Sequence, residues 1–195
     1  MRKLFLATVS ICLMLVSLVL PASAATNYPG TTVNVSTGDL IYSSKGWSSY
    51  FAGHVAIIGD DGKVYHSTPA VSSGGIGETL DSYLSRYPSG EYFEVLRFEK
   101  KTPGPYLEPI NAGKWARNNV SKIQSYTIAG GYKLGDITKN YCSKFMWQAY
   151  YFGAGTNIDR PYLGNYMTPD STTLWAPSEI MPGGKFTIAT GFKKP

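Results

Sequence analysis

Three side chains in this sequence have the chemistry for nucleophilic attack on a carbonyl: Cys142, His54 and His66. The chain holds two cysteines and two histidines, and the other cysteine, Cys12, lies in an apolar N-terminal run. A thiol attacks as thiolate, so it needs a base, and the base needs a third polar group to fix its tautomer. Imidazole is the usual base near neutral pH. The simplest assignment makes Cys142 the nucleophile, His54 the base and later the acid, and His66 the orienting group. Backbone N–H groups at the start of the cysteine helix, with the hydroxyl of Tyr141 beside the thiol, are candidates to hold an oxyanion or substrate. Trp47, with Tyr50 and Phe51 in the stretch KGWSSYF, is a candidate to grip an acyl chain, a peptide or a sugar. Each residue also has a plainer alternative: a buried core thiol, satisfied buried histidines, a tyrosine that only packs. One cysteine and two histidines could hold zinc, but no fourth ligand or short-spaced ligand pair stands out, so no metal and no cofactor is expected.

These residues need elements to position them. The stretch NYCSKFMWQAYYFG, residues 140–153, reads as a helix with the thiol in its first turn. Asn140 is the expected cap, Phe145, Met146 and Ala149 the buried face, and Gly153 the left-handed stop. Unpaired N–H groups and the helix dipole at that start favour thiolate. GHVAIIG, residues 53–59, reads as a buried strand, Asp61-Gly62 as a two-residue turn and KVYHS, residues 63–67, as the returning strand. That hairpin brings His54 and His66 near the same register, and their equal parity puts them on one face. Residues 40–42, 91–98 and 185–190 read as further strands, 78–87 and 110–123 as helices, and the Gly/Ser-rich 68–77 as a loop. Gly113 weakens the second helix. Asp39 is expected to be structural, pairing with a nearby donor or capping the turn at Gly38.

Arg2 and Lys3, an apolar run over residues 4–20 and Ala22-Ser23-Ala24 form the pattern of an export signal cleaved before Ala25. Residues 1–24 are then signal and 25–195 a single domain, with no membrane span after cleavage and a secreted or cell-wall location. Without Arg2 and Lys3 the formal charge falls from +5 to +3. That mild balance suits an anionic cell surface, and the absence of a compact basic run excludes nucleic acid as partner. Exported proteins usually pair their cysteines, so one lone thiol needs a reason: burial or catalysis.

The order of motifs adds to this reading. GDLIY at 38–42, GHVAIIG at 53–59, a hairpin strand, and YCSKFMWQAY at 141–150 together resemble the YiiX-like branch of the NlpC superfamily. TPDSTTLWAPSEI at 168–180 resembles the closing pattern of that branch less closely. The resemblance implies a circularly permuted papain-like α+β fold, with a small antiparallel sheet or open barrel carrying the cysteine helix. It also implies Cys142 as nucleophile and His54 as base, and puts the third position at His66. Several YiiX-like proteins carry glutamate there, whereas related acyltransferases and other superfamily members use histidine. The expected function is an exported thiol hydrolase of amide bonds, on peptidoglycan-derived or other small peptides. Two alternatives stay open: a lipid thioesterase or acyltransferase, and a secreted binding protein without turnover.

Overall fold

The structure is a computed structural model that describes residues 27–44, 53–99, 104–128, 130–159, 165–180 and 184–195. The expected export signal and the aromatic loop with Trp47, Tyr50 and Phe51 lie outside the described residues. Among those described, no helix is long and apolar enough to cross a membrane.

The fold is α+β. Its centre is an open antiparallel sheet of six strands in the order β4-β3-β2-β1-β5-β8. These are β1 (Leu40–Ser43), β2 (His54–Ile58), β3 (Val64–Ser67), β4 (Gly75–Glu78), β5 (Tyr92–Phe98) and β8 (Phe186–Lys193). A small parallel pair, β6 (Ser125–Tyr126) and β7 (Lys139–Asn140), stands apart. The helices are α1 (Leu80–Ser85), α2 (Glu108–Asn119) and α3 (Cys142–Gln148).

Strand alternation sorts the core into two layers. Leu40, Val55, Ile57, Tyr65 and Leu96 face α2 and α3, packing on Ala112, Ala116, Phe145 and Met146. Ile41, Ala56, Ile58, Val64 and Val95 face the other way, onto Leu80, Tyr83 and Leu84 of α1. Both faces of the central strands are covered, which is why GHVAIIG is apolar throughout instead of alternating.

Several expectations need correcting. The β2–β3 turn has three residues, not two: Gly59 pairs with Lys63 around Asp60-Asp61-Gly62, with Gly62 at φ 76°. Glycine in the left-handed region is what such a three-residue hairpin requires. The Gly/Ser loop ends in a real strand, β4, so Glu78 closes a strand and Thr79 caps α1, its side chain accepting from Ser82 N. Helix α2 starts at Glu108, with Pro109 in its first turn, and tightens into a 3₁₀ turn at Val120–Lys122. Trp115 of this helix is half-buried and packs against the core on Phe145, stacked on Phe152. Gly113 is there for space: a Cβ would lie 2.6 Å from both the Ile58 carbonyl oxygen and Thr37 Cγ2.

The cysteine helix also differs from expectation at both ends. Its N-cap is Tyr141, not Asn140. Asn140 sits one residue earlier, accepting from Tyr141 N and donating to Gln148 Oε1 and the Ile137 carbonyl. At the other end a π-turn, Ala149–Gly153, continues the helix. The left-handed residue is Gly155 (φ 64°), while Gly153 allows α2 to approach, since a Cβ there would meet Trp115 at 2.6 Å. Asp39 is structural, as expected: it accepts from Tyr28, Ser36 N and both Nε and Nη2 of Arg97, tying the lead-in before β1 to β5.

Candidate active site

The two histidines are brought together. His54 Nε2 lies 2.9 Å from His66 Nδ1, with the rings edge to face. They are not directly opposite. The register Ile57↔Tyr65, Ile58↔Val64 offsets them by two residues along β2 and β3, on the face that meets α1. Such diagonal pairs are within reach of long side chains. Tyr83 of α1 packs edge-on against His66 and tilted against His54.

The row continues into β4, where His66 Nε2 lies 2.9 Å from Glu78 Oε1. The register His66↔Ile76 makes this a second diagonal with the same offset. Arg86, just past α1, donates Nε to Glu78 Oε1 at 2.7 Å and Nη2 to Oε2 at 3.0 Å, and Ser82 donates to Oε2 at 2.6 Å. The result is one buried polar row: His54, His66, Glu78, Arg86. Burial lowers the pKa of His54 well below the ordinary histidine value and lowers that of His66 as well, although Glu78 opposes both shifts. Burial would raise the Glu78 carboxyl, but the hydrogen bonds from His66, Arg86 and Ser82 outweigh it and bring it down to about 2.

Cys142 comes from the other side of the sheet. Helix α3 packs on the α2 face, whereas both imidazoles point to the α1 face. The sulfur lies where β2 and β3 separate. Their described pairing ends at Ile57↔Tyr65, and the next hydrogen-bonded rung in that register would have joined Val55 to Ser67. The Val55 N–H hydrogen-bonds to Cys142 instead. A charge on Cys142 would also be felt by Tyr83 and Tyr87, which stand on the α1 face.

The thiol does not have the low pKa expected of a helix start. Burial pushes it up to about 11, and the N–H groups of Val55, Ser143 and Cys142 only partly offset this. A neutral thiol and neutral imidazoles are therefore the resting protonation states.

Beside the sulfur is a small cleft, lined in part by Gly53, Ile128, Tyr141, Leu174 and Trp175. No charged side chain is among its described lining residues. The segment before the 3₁₀ turn Pro177–Ile180 forms one wall and is clamped to α3 by two bonds. Ser143 Oγ donates to the Trp175 carbonyl, and Trp175 N donates to the Tyr141 hydroxyl at 3.2 Å. Tyr141 is thus a buried wall residue whose hydroxyl oxygen is already engaged. Trp47 lies outside the described residues.

Sequence reasoning missed Glu78, Arg86, Tyr83 and Ser143. A signal for Glu78 was present: His54, His66 and Glu78 follow one another at equal steps of twelve residues, all even-numbered, on consecutive antiparallel strands.

No family model matches this sequence. An uncharacterized 30.3 kDa protein of Bacillus thuringiensis is 24% identical over 135 residues, which is 68% of this chain and 50% of that protein. The chain therefore spans about half the length of the curated relative it matches. Among solved structures, the crystal structure of the metalloprotein YiiX from Escherichia coli O157:H7 (DUF1105) superposes with a TM-score of 0.53. That match covers 82% of this chain and 98% of the YiiX chain, at 14% identity. The chain has a YiiX-like fold.

Proposed function

We propose that this protein is an exported cysteine hydrolase on a circularly permuted papain-like scaffold, cleaving amide bonds in peptidoglycan-derived or other small peptides. The observation that carries the reading is the buried row His54–His66–Glu78, which begins one residue from the N–H that holds the Cys142 sulfur. A core built only for stability gains little from a row of desolvated polar groups, whereas an acid–base site requires one.

In this reading the thiol gives its proton to His54 as the sulfur attacks the substrate carbonyl. The tetrahedral oxyanion is held by backbone N–H groups at the start of α3. His54 then protonates the leaving amine, and the carbonyl carbon stays on sulfur as a thioester. Water, deprotonated by His54, attacks the thioester and releases the acid and the thiol. The Glu78 carboxylate compensates the imidazolium that forms twice in each cycle. The test is digestion of purified peptidoglycan and a peptide library with wild type and Cys142→Ala, read by mass spectrometry. Products that vanish in the variant are expected; absence of any Cys142-dependent product from every substrate would overturn the reading.

The cleft favours a second reading. Ile128, Leu174, Trp175 and Pro177 offer an apolar wall, with no cation for a substrate carboxylate among the described lining residues, which suits a lipid thioesterase or acyltransferase. Assaying acyl thioesters and lipid esters beside muropeptides separates the two.

YiiX is titled a metalloprotein, but the residues here do not fit a metal. No group of three His, Cys, Asp or Glu that could hold an ion occurs among the described residues. Three of the four imidazole nitrogens are engaged within the row, between the two rings and with Glu78. The mechanism above accordingly runs through the thiol and imidazole alone.

A further inference from the structure

We propose that Glu78, clamped by Arg86 and Ser82, is a positioning residue that sets the tautomer of both histidines, leaving Nδ1 of His54 as the basic nitrogen. The inference rests on the reading of His54 as base and says which of its atoms takes the proton.

The argument follows the hydrogens along the row. Glu78 Oε1 lies 2.9 Å from His66 Nε2 and 2.7 Å from Arg86 Nε, while Oε2 takes Ser82 Oγ at 2.6 Å and Arg86 Nη2 at 3.0 Å. Arg86 cannot give up its proton, so a carboxyl facing two of its N–H groups is ionised. An ionised carboxylate only accepts, so the hydrogen between Glu78 and His66 belongs to His66 Nε2. A neutral imidazole carries one such hydrogen, and burial keeps His66 neutral. Its Nδ1 is therefore bare and accepts. The group 2.9 Å away, His54 Nε2, must donate. His54, also kept neutral by burial, is then left with a bare Nδ1. Without Glu78 nothing in the row decides the direction: two histidines alone can share their hydrogen bond either way round.

Arg86 has a further role. Its side chain is about a quarter exposed, against 6% for Glu78, so it carries the row's counter-charge to the surface beside Ala70, Ser82 and Ser85. A lone buried carboxylate would take up a proton, become a donor and reverse the row.

The test is long-range ¹H–¹⁵N correlation on histidine-labelled protein at neutral pH, which assigns the protonated nitrogen of each ring without any substrate. Wild type is expected to show His54 and His66 both as Nε2–H tautomers. Glu78→Ala is expected to shift His66 into a mixture of tautomers, and His54 with it. An Nδ1–H tautomer on either ring of the wild type would overturn the proposal, as would a folded Glu78→Ala protein with both tautomers unchanged. If that variant fails to fold, the wild-type spectrum still decides. The hydrolase reading fails separately: Nε2–H tautomers on both rings, with no Cys142-dependent product, would support the row and remove the enzyme.

Discussion

At the residue scale, Cys142 is governed by two opposed effects, and burial wins. The short helix start and three N–H groups favour the anion, yet the thiol is pushed up to about 11. Alkylation by iodoacetamide is therefore expected to be roughly 100-fold slower at pH 7 than for a free cysteine, and to climb steadily with pH. A labelling rate that levels off below pH 8 would show instead that His54 already holds the proton. Position 143 offers a second test. Ser143→Ala leaves the buried Trp175 carbonyl without its donor and unpins one cleft wall. The expected loss is about 1–2 kcal/mol in denaturant unfolding, with faster limited proteolysis between residues 165 and 180. Unchanged cleavage there would mean that the Tyr141 bond suffices to hold the wall.

At the scale of elements, the β2–β3–β4–α1 unit ties stability to pH. His54 and His66 have folded pKa values below that of the unfolded chain, so both must gain a proton on unfolding below about pH 6.5. Glu78 is lowered from 4.5 to about 2, so its contribution is present above pH 4.5 and lost as pH falls toward 2. All three shifts have the same sign: the unfolded state binds more protons, and stability falls as the solution is acidified. Thermal melts should show Tm decreasing from pH 7 downwards. The Glu78 part is on the order of 2–3 kcal/mol, and Glu78→Gln should flatten the curve below pH 4.5. In α2, Gly113→Ala should improve helix propensity by about 1 kcal/mol. It also forces a methyl group against the Ile58 carbonyl and Thr37, where overpacking costs about 1–3 kcal/mol. A net loss is expected; a rise in Tm would show that the β2 end yields.

These same elements show what could be read from the sequence. The strands holding both histidines and the helix holding the thiol were legible because apolar runs, an Asp-Gly turn and helical spacing are local signals. β4 was not legible. Its sequence GIGE has two glycines, and Gly77 is required because a Cβ there would lie 2.2 Å from the Tyr65 ring. Losing β4 lost the place of Glu78 beside His66, which exists only through the sheet register, and with it the part played by Arg86. The side of the sheet from which the thiol arrives was equally hidden. It depends on where the β2–β3 ladder stops, which no local pattern encodes.

At the scale of the whole molecule, the sheet separates two functions. One face carries the acid–base row and α1; the other carries α2, α3 and the clamped wall of the cleft. Between β2 and β3 the described ladder stops short, and the Cys142 sulfur takes the Val55 N–H there. Ser67→Pro would remove the backbone N–H due to pair there with Val55. With that rung already absent, it should cost less than about 3 kcal/mol, the penalty of proline inside a regular element. A larger loss by chemical denaturation would show the ladder to be closed. The row His54–His66–Glu78–Arg86 is complete within 33 consecutive residues, whereas the sulfur is supplied 56 residues after Arg86. In a chain ending before α3 the row would have no thiol to deprotonate. If the proposed function holds, such an unfinished copy would stay chemically silent until the last third of the polypeptide has docked.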